Sequence, residues 1–467
     1  MPISPARTAA FDILLQVERE DAYAAELLHS PRRQKLSSAD QGLTTEIVMG
    51  VLRWQSLLDS ELARFSSQKL EKLDVEVLIS LRMAVFQLLL LERVPARAAV
   101  HESVELVKRA RKRSAGPFVN ALLRKLTGYK EGRDDLRRLI TESSEADTAK
   151  SGAGLVVRSF TSSEQRISHL ADSYAHPRWM VERWSPAFGE DYVSRILRSN
   201  QQIPTTAIRL PSPADEAALE RSGVVLLNGE LLKTAARIES GNLTRTDPFR
   251  AGRIVIQDEA SQLVALLVGK GSNILDCCAA PGGKTRILAE RNPQGLIMSA
   301  ELHPHRARLL RRLVPNKNVR VVAADARHLP LGEQFDRVLV DAPCSGTGTL
   351  SRNPEIKWRL EPADLTELQS KQLAILQSAM QHVKLSGRLI YSTCSLEHEE
   401  NQDVVEQALT SDSSFRLLDC RGELERLRSQ GELAWQDLDS LLFGPFLRTL
   451  PGVHPCDGFF AAILERM

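Results

Sequence analysis

A chain of 467 residues is too long for one ordinary domain, and its 43% hydrophobic and 26% charged residues are the balance of a globular protein. No apolar run of about eighteen residues occurs, which argues against a membrane-spanning helix. Met1–Arg7 lacks the apolar core of a secretory signal, so a cytoplasmic protein is expected, and a monomer is the default expectation. The formal charge is only +2, and six cysteines, two of them adjacent (Cys277, Cys278), read as reduced thiols rather than a disulfide framework.

Residues 1–129 read as all-helical. Leu43, Ile47, Val51, Trp54, Leu58, Leu62 and Phe65 recur at helical spacing, and Val75 to Leu91 is apolar almost all round, as in a central buried helix. Val100, Val104 and Val107 give another amphipathic helix running into Lys108-Arg109-Ala110-Arg111-Lys112-Arg113, with Gly116-Pro117 as the expected break. Between Arg97 and Lys125 eight Lys/Arg face two Glu. Such a concentration suits a polyanion partner, and a merely solvated helix face accounts for it equally well.

Residues 130–154, rich in Glu, Asp, Ser, Lys and Gly, read as a linker. Residues 155–253 read as a small α+β connecting domain, with an aromatic helix (Tyr174, Trp179, Trp184) and short strands such as Val224–Leu227. From 254 to 467 apolar strands (Asn273–Asp276, Leu296–Glu301, Val319–Asp325, Phe335–Asp341, Arg388–Thr393) alternate with helices, one of them opened by an apparent capping box, Asp364 to Glu367. That alternation predicts a doubly wound, mostly parallel α/β sheet of Rossmann-like type. Four strands end in an acid, Asp276, Glu301, Asp325 and Asp341, and in such sheets ligands bind beyond the carboxyl ends. A nucleoside-containing cofactor is the reading that uses all four.

The turn after the first of these strands, Cys278-Ala279-Ala280-Pro281-Gly282-Gly283-Lys284, lets backbone approach a ligand at the start of a helix. A phosphate-binding loop needs a glycine where Cys278 stands, and a dinucleotide fingerprint needs Gly-x-Gly-x-x-Gly, which this turn does not supply. Two further strand ends carry Cys344 (Asp341-Ala342-Pro343-Cys344) and Cys394 (Thr393-Cys394-Ser395). Neither lies in Cys-x-x-Cys spacing and no histidine cluster accompanies them, so a metal site is not expected. A lone cysteine is usually a small buried apolar residue, whereas two at the rim of one crevice suggest a thiolate nucleophile.

These motifs, in the extended forms Asp341–Trp358 and Ser392–Val405 and with Asp457-Gly458-Phe459-Phe460-Ala461 near the end, resemble the RNA cytosine-C5 methyltransferases that use S-adenosylmethionine. Val94–Lys108 and Phe118–Arg124 look like a NusB-type RNA-binding domain. Together they are similar to the Sun/Fmu subgroup, which modifies a cytosine of bacterial 16S ribosomal RNA. The resemblance implies Cys394 as the nucleophile that adds to C6, Cys344 as the group assisting product release, and Asp341 and Lys284 as catalytic groups at the base. It implies a methionine-end loop from Cys278 through Ala279, Ala280, Pro281, Gly282 and Gly283 to Lys284, Glu301 on the ribose, Asp325 by the adenine amine, and Asp341 shared with the base. Lys108, Arg109, Arg111, Lys112 and Arg113 would hold the RNA backbone. Glu301 stands where the family commonly has Asp, Ala207–Leu210 stands where relatives often carry Arg-x-Asn, and 411–455 match no motif. A transfer-RNA or 23S target, or a non-catalytic RNA-binding factor, are the alternatives. A P-loop ATPase comes after both.

Overall fold

The computed structural model describes residues 3–30, 35–128, 162–210, 212–332 and 334–467, so the expected linker and residues 155–161 lie outside the described residues. The chain forms two compact units, Met1–Ile203 with Leu350–Arg359, and Pro204–Thr349 with Leu360–Met467.

The first unit is helical: α1 Pro5–Glu20, α2 Ala24–Leu28, α3 Ser38–Arg53, α4 Gln55–Phe65, α5 Val75–Leu90, α6 Ala96–Arg109, α7 Gly116–Gly128, α8 Ser163–Ser173, α9 Arg178–Phe188 and α10 Glu190–Gln201. Its core is built around α5, where Val77, Ile79, Leu81, Met83, Val85 and Phe86 are all buried, as the all-round apolar pattern requires. The apolar spacing from Leu43 to Phe65 is not one helix. It breaks at buried Trp54 (φ −105°, ψ 16°). The carbonyls freed there find other donors: Trp358 Nε1 reaches Leu52 O at 2.6 Å, while Lys357 Nζ (2.8 Å) and Gln201 Nε2 (3.1 Å) reach Arg53 O. Gly116-Pro117 opens α7 rather than breaking α6, since proline fits a helix's first turn. The break falls just before it, at Arg111, with φ +64°.

The aromatic stretch is divided too: Tyr174 ends α8, and Trp179 and Trp184 lie on α9. Helices up to Gln201 belong to the first unit and strands from Thr206 to the second, so the range 155–253 is shared between the units.

In the second unit β1 Thr206–Arg209, α11 Pro213–Arg221, β2 Val225–Asn228, β3 Ala235–Ser240 and β4 Val255–Ile256 form a small antiparallel sheet of order β2-β3-β1-β4 with its own helix. α12 Glu259–Leu267 leads into β5 Asn273–Asp276, α13 Gly283–Arg291, β6 Leu296–Glu301, α14 Pro304–Leu313, β7 Val319–Ala323, β8 Phe335–Asp341, α15 Pro362–Met380, β9 Val383–Thr393, α16 Gln402–Ser411, β10 Phe415–Leu418, α17 Cys420–Ser429, β11 Leu442–Phe443, β12 Phe446–Thr449 and β13 Phe459–Arg466. The large sheet runs β11-β12-β13-β9-β8-β5-β6-β7, with β10 also on β13. Strands β5 to β9 are parallel, and β10 to β13 pair antiparallel. The sheet is therefore mixed rather than mostly parallel. The 411–455 stretch supplies its antiparallel edge and, through Cys420, Leu424 and Leu427 of α17, part of its core.

α15 starts before the expected capping box. Pro362 sits in its first turn, Glu361 is the N-cap, and Asp364 reaches back to Glu361 N at 2.9 Å. Glu367, expected at the third helical position, instead pairs with Lys371 one turn on. Among the described residues no helix is long and apolar enough to cross a membrane.

Candidate active site

The strand order 7-6-5-8-9 reverses direction between β5 and β8, so the loops leaving those strands part and open a crevice above the sheet. The loop after β5 enters it. Gly282 has φ +115° and caps α13, and a Cβ there would stand 2.6 Å from the side chains of Leu310 and Val314. Only glycine lets this loop lie so close to α14.

Of the strand-end acids, Asp276 is buried, with Oδ2 accepting from Thr285 Oγ1 at 2.6 Å and Oδ1 unpartnered among the described residues. Burial, aided by nearby Asp341 and Glu301, pushes its carboxyl up to about 7. The unfolded chain ionises this group near pH 4 while the folded chain keeps it protonated to about 7, so stability falls as pH rises through that window. Asp276→Asn keeps the shape and the Thr285 bond. Relative to that variant the wild type is expected to lose about 3 kcal/mol between pH 5 and 8 in urea unfolding. Parallel pH profiles for the two proteins would show that Asp276 ionises on ordinary terms.

Glu301 is buried at the tip of β6, and Oε1 accepts from His303 N at 3.0 Å. Asp325 lies just beyond β7, where it caps a turn. Arg327 holds it through its backbone N–H (3.0 Å) and a two-pronged guanidinium contact, which lowers the carboxyl to about 2. Its carboxylate is already engaged, so a ligand amine would have to share it. Asp341 ends β8 with both oxygens bonded: Oδ2 to Lys284 Nζ at 2.7 Å, Oδ1 to Ser392 Oγ at 2.9 Å. Lys284 Nζ also lies 5.1 Å from the centre of the Phe459 ring.

Cys344 and Cys394 meet. β8 and β9 are neighbours in register, Asp341 opposite Ser392, and the loops that follow bring the two sulfurs to 3.1 Å, with Cys394 N donating to Cys344 Sγ at 3.3 Å. The hydrogen bond with Cys394, then burial, push the Cys344 thiol well up. Gly348 closes the Cys344 loop against the chain. A Cβ there would lie 2.2 Å from Gly458 O and 2.9 Å from Cys394 O. Cys277 is core packing, and burial raises its thiol far above reactivity.

Sequence reasoning left one part of the site without a role. Glu400, fully buried, accepts from Ser345 N (2.8 Å), Ser345 Oγ (2.5 Å), Ser395 Oγ and Gln372 Nε2 (2.8 Å), while Tyr391 OH donates to its backbone carbonyl (2.6 Å). One carboxylate thus ties the residue after Cys344 to the residue after Cys394. Its signal in the sequence was its place within Ser392–Val405. Gln372, on α15, had none.

The expected RNA-binding residues lie at the end of α6 and in the turn after it. Lys108 pairs with Glu105 (2.7 Å), Arg109 with Asp12 (2.7 Å) and Lys112 with Asp74 (2.9 Å). Arg111 and Arg113 have no ion pair among the described residues.

A doubly wound sheet with acids at successive strand tips, a glycine-cut first loop and two touching thiols fits a transferase with a nucleoside cofactor. Two family models match the chain, "16S rRNA methyltransferase RsmB/F" over residues 263–465 and the NusB family over residues 4–128. The chain is 33% identical to "Probable ribosomal RNA small subunit methyltransferase B" of Bacillus subtilis, over 88% of this chain and 89% of that one. It is 28% identical to ribosomal RNA small subunit methyltransferase B of Vibrio cholerae, over 93% and 91%. The crystal structure of PH0851 superposes on all of both chains with a TM-score of 0.77 at 25% identity. The chain belongs to the RsmB/F family of S-adenosylmethionine-dependent methyltransferases. The crevice suits that cofactor: Glu301 and Asp341 would favour a cationic sulfonium nearby, and Glu301 could accept from a ribose diol.

Proposed function

We infer that the chain methylates C5 of a cytosine in small-subunit ribosomal RNA, a cytoplasmic reaction, with Cys394 as the covalent nucleophile. The observation that carries this reading is the sulfur pair at the ends of β8 and β9, with the Lys284–Asp341 ion pair at the same strand ends. C5 of cytosine is a weak nucleophile. Addition of the Cys394 thiolate to C6 puts the electron pair of the C5–C6 double bond on C5, with charge drawn towards the ring's carbonyl and N3. The Lys284 ammonium would stabilise that charge, and the Asp341 carboxylate, held by Lys284 and Ser392, would accept from the amino group at the ring edge. When bound, S-adenosylmethionine would supply an electrophilic methyl whose leaving group is a neutral thioether. Transfer of the C5 proton to solvent water then returns the electron pair to the ring and expels the Cys394 thiolate, and Cys344, its sulfur 3.1 Å from that of Cys394, is the group that would assist the release. A base stacked in a duplex cannot present C6 to a thiolate, so the target is flipped out or single-stranded.

The test is transfer of labelled methyl from S-adenosylmethionine to small-subunit rRNA, followed by digestion to nucleosides. Label in 5-methylcytidine at one site is expected. Label in another base, or only in transfer RNA or large-subunit rRNA, would overturn the chemistry or the target respectively.

A further inference from the structure

We propose that the exposed face of α14 and the turn after it form a phosphate-binding rim in the catalytic unit, holding the RNA backbone beside the crevice; this rests on RNA being the substrate. From Leu302 to Arg320 the chain carries Arg306, Arg308, Arg311, Arg312, Lys317 and Arg320 and no Asp or Glu. All six are exposed, and none makes an ion pair among the described residues.

Other arginine-bearing helices of this unit differ. Arg286 on α13 pairs with Glu290, and on α17 Arg426 pairs with Glu423 and Arg421 with Asp439. An ordinary solvated face mixes both signs in this way, because uncompensated like charges repel. The α14 face is uncompensated, which is the arrangement a polyanion would neutralise. It is also more available than the basic stretch after α6, where Lys108, Arg109 and Lys112 are already spent on Glu105, Asp12 and Asp74.

Its position suits a backbone contact. α14 follows directly on Glu301 at the crevice tip, Leu310 packs beneath Gly282, and Arg306 Nη2 donates to Ala280 O of the cofactor loop at 3.4 Å. Acids inside the crevice repel phosphates while the basic rim attracts them, so a backbone lies along the rim and only a base enters.

The test is binding of a single-stranded RNA oligonucleotide by fluorescence anisotropy across a salt series. It compares the full chain with the triple variant Arg308→Gln, Arg311→Gln, Arg312→Gln. Arg306 is left intact because it touches the cofactor loop. The variant is expected to bind at least about tenfold more weakly at low salt, with a salt slope shallower by about 2, the value for three lost phosphate contacts on a single strand. S-adenosylhomocysteine affinity should be unchanged, showing that the fold and the crevice are intact. Equal RNA affinity and slope in the two proteins, whether tight or absent, overturns the proposal. So does a loss seen in Arg111→Gln/Arg113→Gln but not in the α14 variant. Methyl transfer by the wild type is read separately, so a failed rRNA assignment is told apart from a failed rim.

Discussion

Cys394→Ala is expected to abolish methyl transfer, with kcat lowered on the order of 10⁵-fold or more, as when a covalent nucleophile is removed from an otherwise intact site. Cys344→Ala is expected to fail differently. The nucleophile remains and adds to C6, but the sulfur 3.1 Å away that would assist its release is gone. The enzyme should stop as a protein–RNA adduct that survives denaturing gel electrophoresis. Both substitutions remove one small, partly buried side chain, so folding should be little affected. The double variant Cys344→Ala/Cys394→Ala should form no adduct. An adduct in Cys394→Ala and none in Cys344→Ala would reverse the two roles.

Glu400→Ala is expected to damage the site and the fold together. The substitution removes the acceptor of the Ser345 N–H, of two serine hydroxyls and of one Gln372 N–H in a fully buried place, leaving the serines each other and Gln372 only Pro343 O. An unsatisfied buried donor costs about 1–3 kcal/mol, and these bonds are charge-assisted. A loss of about 4 kcal/mol or more follows, a large part of the roughly 5–15 kcal/mol of a typical domain. Glu400→Gln keeps the volume and one acceptor, and the hydroxyls can rotate to meet it, so about 1–2 kcal/mol is expected. Because the carboxylate ties both cysteine loops, Glu400→Gln should still lower the adduct yield in a Cys344→Ala background. The exposed neighbour Glu406→Gln should change neither quantity. Chemical denaturation with adduct counting reads both effects. An unchanged adduct yield in Glu400→Gln would make Glu400 a purely structural residue.

What could be read from the sequence was whatever lies within one strand, loop or helix turn. Asp276, Glu301 and Asp341 reach the crevice because a strand end is a local fact, and Cys344 and Cys394 meet because their strands are neighbours in a sheet whose order follows from βα alternation. What escaped depends on partners distant in the chain or on local choices that spacing leaves open. The basic run Lys108–Arg113 looked free because Asp12 and Asp74 lie far from it in sequence, and Arg327 claims the Asp325 carboxylate by a side-chain choice that spacing does not report. The start of α15 was misplaced because Asp364 fits a helix's first position and its fourth equally well, and Pro362 decides between them. The break at Trp54 was invisible for the same reason as Glu400: the donors that make it stable arrive from elsewhere in the chain.

Lys357 and Trp358 are encoded in the middle of the catalytic sequence, yet they finish the C-terminal turn of α3. The helical unit is therefore not a detachable module. A gene cut after Ile203 would yield helices whose Leu52 carbonyl has lost its buried donor and whose Arg53 carbonyl keeps only Gln201. During synthesis the first unit emerges early and stays unfinished until the ribosome has passed Arg359. Evolution of the two parts is coupled in the same way, since a catalytic sequence grafted behind a different helical head would bring a plug cut for another socket.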